Sequence, residues 1–565
     1  MTNRSSASES GVACKLLSDR GVGDYSWFSM NEPSAEINRL LRVPKPRLIF
    51  RVRKAGPFFW IFFSLFGCNC LIDDLLHSCV PARLPLLAKS GFLLDPRPLD
   101  EPASPHAGAL VISRAFRSLK IPELAAANLQ LKSRQRGYEE AQFIETVMLL
   151  QAVGGDCPED LGLLNNDPML GRALGYQLPK VTAVRNFLER FHDAELALKR
   201  PARQEQKSFI MPASAGLQRL QDVQAGLVRR VAQKYGAQGQ PQSIATVDQD
   251  ATIIESHKQA ALSHYEGGRG YQPMVAMWAE ADLVLADEWR DGNVPANQEP
   301  LSCAQMAFAV LPSSIRKRYF RGDSACHQQE LLQWLGGPQR AEEPGGAIGF
   351  CVSARMSVDL HKAVLGVAEK AWQTFGQEPD GTQRQWAEVD FVPGERGEKK
   401  ASQPLRYVGL RLLKSQGSLF ADGSDRHHHA VVTNLDWAGD RLLNWHREKA
   451  GSVEHVHDEI KNGLAGGHVP SQLFGANAAW FKLTLMLYNI GSAIKGLCLE
   501  GEERLARWKR FRLLIIHLSG RLNRNGCVLR LRFCASKEAI ARLQKVWEVF
   551  DLPTQASRTT PFSSS

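Results

Sequence analysis

Three acidic residues stand where a metal-assisted reaction at phosphorus would need them. Asp250 lies in a β-branched stretch, SIATVDQDATIIE. Asp323 closes the segment RKRYFRGD, and Glu454 sits in the charge-rich segment HREKAGSVEHVHDEIK. The separations are 73 and 131 residues, which is no obstacle, because acids at strand ends and on a facing helix converge in space. Mg²⁺ prefers oxygen ligands and keeps several waters. Two such ions about 3.5–4 Å apart activate an attacking oxygen and stabilise the leaving oxygen of a phosphodiester. Three carboxylates are enough to hold two ions. Taken singly, each acid reads equally as a solvated or capping residue. Asp248 points to the same strand face as Asp250, so the first ligand stays open between them.

Other clusters carry less. His427, His428 and His429 alternate across a strand, so at most two share a metal, and the run reads as surface. His455 and His457 flank Glu454 at a spacing that does not share a helix face. The eleven cysteines are scattered and form no CxxC pair, which reads as reduced thiols without a zinc site. No GxxxxGK[ST] loop occurs, so ATP-driven chemistry is not indicated. Arg269, Tyr271 and Trp289 suit DNA contact, although Trp289 reads equally as core. Trp480 and Tyr488 read as packing residues.

The elements that must position the acids follow from periodicity. Residues 243–255 read as a strand, 273–278 and 282–289 as two more joined by a tight hairpin at Glu280-Ala281, and 303–311 as a helix. Residues 316–323 read as a fourth strand ending in Asp323, and 328–335 as a helix. The order β-β-β-α-β-α is that of the RNase H-like fold. Residues 336–426 interrupt it with strands at 346–353, 386–392 and 405–413 between polar Gly/Pro-rich loops, a β-rich insertion. A strand at 430–433 resumes the core, and helices follow at 442–464 and 476–497. Upstream, 105–198 is helical. Pro122 opens one helix with Leu124, Ala127 and Leu131 on one face, and Thr182 is placed to cap another. Residues 199–242 read as a polar connector containing a helix.

The fold class is therefore α/β: an RNase H-like mixed-sheet core with a β-rich insertion, a helical N-terminal module and a helical C-terminal region. The expected division is 1–104, an appended segment; 105–242, a helical DNA-binding module and linker; 243–335 and 427–500, the two parts of the core; 336–426, the insertion; and 501–565, a basic region ending in a disordered tail.

Bulk properties agree. A chain of 565 residues holds roughly three or four domains. With 44% hydrophobic and 23% charged residues, it is neither wholly disordered, fibrous nor a polytopic membrane protein. A net charge of +10 favours a polyanionic partner such as nucleic acid, and residues 502–545 are especially basic, as phosphate contact requires. No early apolar segment marks a secretory signal. The apolar run 57–72 falls short of the about 20 residues that span a bilayer and reads as a buried helix or strand, so no membrane partner is expected.

Longer words sharpen the reading. VDQDATIIESHK, YEGGRGYQPMVAMWAE, RGDSACHQQELLQWL, LFADGSDRHHHAVVTN, WHREKAGSVEHVHDEIKNGLAGG and FGANAAWFKLTLMLYNIGSAIK resemble, in order, the DDE transposases of bacterial insertion sequences, specifically insertion-sequence family 1380. The resemblance runs from about residue 105 to about 535 and leaves 1–100 unmatched. It implies a cut-and-paste transposase in which Asp250, Asp323 and Glu454 hold two Mg²⁺ ions, with Mn²⁺ able to substitute. It implies terminal inverted repeats and target DNA as partners, a homodimer in a synaptic complex, and a cytoplasmic, nucleoid-associated location. Lys461, seven residues after Glu454, matches the lysine of a Tyr-Arg-Glu-Lys signature. The arginine position holds Ala450, so Arg447 and Lys449 are the substitutes. Arg447, Lys449, Lys461 and Arg269 are thus the expected DNA contacts. A metal-dependent nuclease without strand transfer, or an inactive DNA-binding remnant, are the alternatives.

Overall fold

The computed structural model describes residues 103–552, apart from 133, 135, 202–204, 206, 343–345, 394–404, 415–418 and 526–527, and five strands before them. The chain divides into two compact units, Met1–Pro98 and Leu99–Ser565. In the first, Gly11–Ser18 pairs with Gly21–Val22, Ser26–Ser29 and Leu48–Val52, and Leu48–Val52 pairs with Phe59–Phe62, all antiparallel. The apolar run 57–72 thus contributes a strand at Phe59–Phe62. Its remainder from residue 63 lies outside the described residues, as does the expected tail at 556–565. Among the described residues, no helix is long and apolar enough to cross a membrane.

The second unit is organised by one nine-stranded sheet. Its strands are β1 (Ile244–Ala251), β2 (Met274–Trp278), β3 (Leu283–Glu288), β4 (Lys317–Gly322), β5 (Ile348–Ser353), β6 (Gln373–Gln377), β7 (Gln383–Val389), β8 (Arg406–Leu413) and β9 (Arg426–Thr433), in the order β3-β2-β1-β4-β5-β9-β8-β7-β6. β2 is antiparallel to both β1 and β3, whereas β4 runs parallel to β1 and β5 parallel to β4. β9 returns antiparallel to β5, and β8, β7 and β6 extend the same sheet. β5, expected within a separate insertion, is hydrogen-bonded directly to β4; backbone groups on that edge would otherwise be unpaired.

The hairpin between β2 and β3 forms as expected, with Trp278 opposite Leu283 and Asp282 in the left-handed region at φ 52°, a conformation that Asp tolerates. β3 would be an exposed edge, and three side-chain amides cover it. Asn489 both donates to and accepts from Val284, Gln224 donates to the Val284 carbonyl, and Gln221 to that of Leu285. Covering an edge in this way prevents strand addition by another chain.

Those amides come from two long helices, α1 (Ala215–Ala237) and α2 (Phe474–Cys498). The first was expected in a polar connector. It instead buries Leu217, Leu220, Val223, Leu227, Val228 and Val231, because its apolar positions recur on one face at helical spacing. The helices upstream join the same hydrophobic core as the sheet. Ile121–Asn128 carries Pro122 in its first turn, as predicted, but it buries Ile121 and Ala125, followed by Leu129. Ala127 is exposed, and Leu131 lies beyond the helix end. The helix Val181–Glu189 is preceded by Lys180 as its cap residue, so Thr182 lies inside the helix instead of capping it.

One buried ion pair ties the sheet to the helix that covers it, α3 (Gly439–Asp458). Arg321 on β4 donates from Nε and Nη2 to the two carboxylate oxygens of Asp248 on β1, at 2.6 and 2.8 Å. Its Nη1 donates to the Trp445 carbonyl on α3 at 2.5 Å, and its guanidinium stacks 5.1 Å from the Trp445 ring. Ser452, also on α3, donates to Asp248. Removing one partner from such a pair strands the other charge in a dry interior. We expect Arg321→Met to lower the unfolding free energy by about 3–5 kcal/mol in urea titrations. A loss under about 1 kcal/mol, the worth of an exposed pair, would show that this pair does not anchor α3.

Candidate active site

The parallel pairing of β1 with β4 brings two acids together. Arg321 lies level with Asp248 and Gly322 with Gln249, so the next step along both strands sets Asp323 level with Asp250. Along each strand the period is two. Asp248 and Asp250 turn to the α3 side of β1, and Arg321 and Asp323 are likewise two apart on β4. Asp323 ends its strand by capping a turn, accepting from the backbone N–H of Ala325 at 3.1 Å.

Two carboxylates this close repel. Burial pushes the Asp323 carboxyl above the ordinary range, the charge of Asp250 pushes it further, and Lys449 together with the turn N–H groups pulls it back. Lys449 comes from α3. Its Nζ donates to Asp250 Oδ2 at 2.9 Å, and its side chain is 9% exposed. Burial disfavours its charge, but Asp250 and then Asp323 outweigh burial and raise its pKa. The ammonium is thus the counter-charge of the acid pair. Lys449, expected to touch DNA, is turned inward instead.

The structure separates the two aspartates of β1. Asp248 is wholly buried, with both oxygens engaged by Arg321 and one also by Ser452. Asp250 keeps a 22% exposed side chain and one direct side-chain partner, Lys449. Two imidazoles line the same ground. His446 lies 3.1 Å from the Gly322 carbonyl, and burial lowers its pKa to about 4, so it is a neutral donor to that carbonyl. Burial likewise lowers His457 to about 4, and its buried Nε2 has no hydrogen-bond partner. Sequence reasoning passed over Arg321, His446 and Ser452. Only the two-residue spacing of Arg321 before Asp323 marked any of them. It set His457 aside on spacing, yet His457 is buried and feels the charge of Asp250.

The remaining expected residues lie elsewhere. Glu454 is exposed, about 140° around α3 from Lys449 at 3.6 residues per turn. Lys461 lies in the wide π-helical turn Glu459–Gly463 that continues α3, and its Nζ reaches the Ile253 carbonyl at 3.5 Å, just past β1. Asp458 pairs with Arg507. Arg447 forks onto both oxygens of Glu378 at 2.5 and 3.0 Å. Arg269 donates to the carbonyls of Lys258, Gln259 and Ala261 and so shapes its own loop. Tyr271 and Trp289 stack on each other in the core, which leaves neither for DNA. Trp480 and Tyr488 are buried, as expected. A cleft of about 660 Å³ opens beside Asp323, lined by Arg355, Arg384, His446 and Arg447.

The donor chemistry of the pair fits a hard cation. Asp250 and Asp323 offer carboxylate oxygens, the ligands Mg²⁺ selects, and a positive group already stands against them. Among the described residues, no three of His, Cys, Asp and Glu converge closely enough to hold a metal ion.

Residues 101–552 match the family described as transposase DDE domain group 1. This chain belongs to that family. Among solved structures, a piggyBac transposase synaptic complex with hairpin DNA, determined by cryo-EM, is similar at 9% identity with a TM-score of 0.38, covering 83% of this chain and 91% of that one. No curated protein matches.

Lys449 yields a pH prediction. The folded-state pKa of Asp323 is raised, so this group's contribution to stability falls as pH rises from the ordinary carboxylate range through its folded value. Lys449→Met removes the opposing charge and deepens that fall. The variant's melting temperature should approach wild type near about pH 4 and drop away toward about pH 8. A gap that is constant across that range would contradict the assigned role.

Proposed function

We propose that this DDE transposase performs cut-and-paste transposition, cleaving DNA at terminal inverted repeats and joining the freed 3′ ends to target DNA. The observation that carries the reading is the side-by-side placement of Asp250 and Asp323 at the ends of parallel β1 and β4. The strand order β3-β2-β1-β4-β5, with three antiparallel strands followed by two parallel ones, supports an RNase H-like core. Assignment to insertion-sequence family 1380 rests on the resemblance of the sequence words. So do the homodimeric synaptic complex and the cytoplasmic, nucleoid-associated location.

Asp250 and Asp323 would hold the divalent cation, Mg²⁺ or Mn²⁺, with Asp248 kept out by its bond to Arg321. Bound there, the metal supplies a Lewis acid for the attacked phosphate and for an attacking water or hydroxyl. Lys449 keeps the pair compact and neutralised until then. Arg355 and Arg384 line the cleft beside Asp323, with Arg447 closed onto Glu378 there, and would contact a phosphodiester backbone. Lys461 stands next to the loop after β1, where it would contact phosphate near the cut. Glu454 is the third ligand by resemblance. Its exposed side chain does not join the pair in this structure.

That exposed position favours a second reading, a protein that binds element ends without cutting them. A nick assay on a labelled duplex carrying the terminal repeat separates the two. We expect wild type to nick at the element boundary in Mg²⁺. Asp250→Asn, Asp323→Asn and Glu454→Gln should each lower the rate by about 10²–10⁴-fold, the range for removing one positioned catalytic group, with duplex binding retained. Wild-type binding without nicking would establish the second reading, and full activity of Glu454→Gln would remove Glu454 from the site.

A further inference from the structure

Beyond the acid pair, the most unusual surface lies near the C-terminal end. β10 (Gly520–Asn525) and β11 (Val528–Phe533) form an antiparallel ribbon. Only the base of β10 is held by a third strand, Ala103–Ser104, which pairs with Gly520 and Arg521. The register is Arg521 opposite Arg532, Leu522 opposite Leu531 and Asn523 opposite Arg530. Side chains alternate across a ribbon. Leu522, Leu531 and Phe533 therefore share one face, and they pack against the core. Arg521, Arg530 and Arg532 share the other face, and all three are exposed.

This arrangement is unfavourable on its own, because like charges directly opposite on paired strands destabilise them. Local sequence offers no relief, since no acidic residue occurs between Glu503 and Glu538. Neighbouring basic residues are used within the fold. Arg507 pairs with Asp458, Arg542 with Glu503, and Arg512 donates to the carbonyls of Gln151, Ala152 and Gly463. Among the described residues, Arg530 and Arg532 have no carboxylate partner. A cationic face kept solvent-ready on an apolar backing calls for an extended anion. A two-stranded ribbon also has the width that the major groove of duplex DNA admits.

We propose that the arginine face of the β10–β11 ribbon is a docking surface for the phosphate backbone of duplex DNA. The inference rests on the reading that this protein acts on DNA, and adds which surface holds the duplex outside the cleavage site. Phosphate contacts of this kind fix position and carry no sequence information of their own.

The test uses the full chain and a short labelled duplex titrated over a range of KCl concentrations. Each lost phosphate contact lowers the slope of log K against log salt by about 0.9. Arg530→Gln combined with Arg532→Gln should therefore reduce the slope by about 2 and weaken binding equally for unrelated sequences. Arg532→Lys, which keeps the charge, should keep the slope. Both substituted side chains are exposed and Arg532 stands opposite Arg521, so thermal unfolding should occur no lower than in wild type. If wild type binds DNA and the double variant shows the same slope, the ribbon is not the docking surface, although the protein still acts on DNA. If wild type binds no duplex at low salt, the inference falls together with the reading beneath it. If DNA binding is unchanged but sedimentation shows that the double variant loses self-association, the ribbon's partner is a second copy of this chain and the inference is overturned.

Discussion

The buried bond between Arg321 and Asp248 is the constraint on which the site depends. It joins neighbouring parallel strands β1 and β4 at one level, and through Trp445 and Ser452 it also fixes α3 across them. Two residues further along each strand stand Asp250 and Asp323. Four residues after Trp445 on the helix stands Lys449. The acid pair and its ammonium are thus one period beyond the anchor on each of three elements. A slip of one residue between β1 and β4 would break the fork onto Asp248 and separate the acids together, because alternation sends every side chain to the opposite face.

Such an anchor is costly. Two charges lose their water, and only good geometry repays the loss. Here the guanidinium uses both of its donating edges, and the carboxylate accepts from Arg321 and Ser452. The cost has a structural return: both oxygens of Asp248 are occupied, so Asp250 is the aspartate of β1 that stays partly exposed. The same logic governs Lys449. An unpaired pair of like charges at the end of two parallel strands would raise the energy of the folded state, and a tethered cation relieves it without any metal. A divalent ion held by Asp250 and Asp323 would therefore compete with an internal cation.

Basic residues elsewhere divide by their surroundings. Arg269, Arg321 and Arg512 are spent on carbonyls and carboxylates that hold loops and elements in place, and Arg447 is closed onto Glu378. Among the described residues, Arg530 and Arg532 of the β10–β11 ribbon have no carboxylate partner. Composition alone treated all of these as equivalent, yet only position separates structural guanidinium groups from those left facing solvent.

The strands around the site were legible because their signals are local. The β-branched run before Asp250, the hairpin after Trp278 and the acid closing RKRYFRGD each carry their pattern within a few residues, and the sequence words placed the chain among DDE transposases. What lay beyond reach was decided by contacts between residues 73 to 204 positions apart. Periodicity put Asp248 and Asp250 on one face but was blind to Arg321, which arrives from β4 and engages only the first. The resemblance made Lys449 a DNA contact, because nothing within a helical turn marks a residue that will meet Asp250. Alternation and helical spacing state which side chains share a face; which face meets which, and so which charges must neutralise one another, was settled only when the sheet and α3 came together.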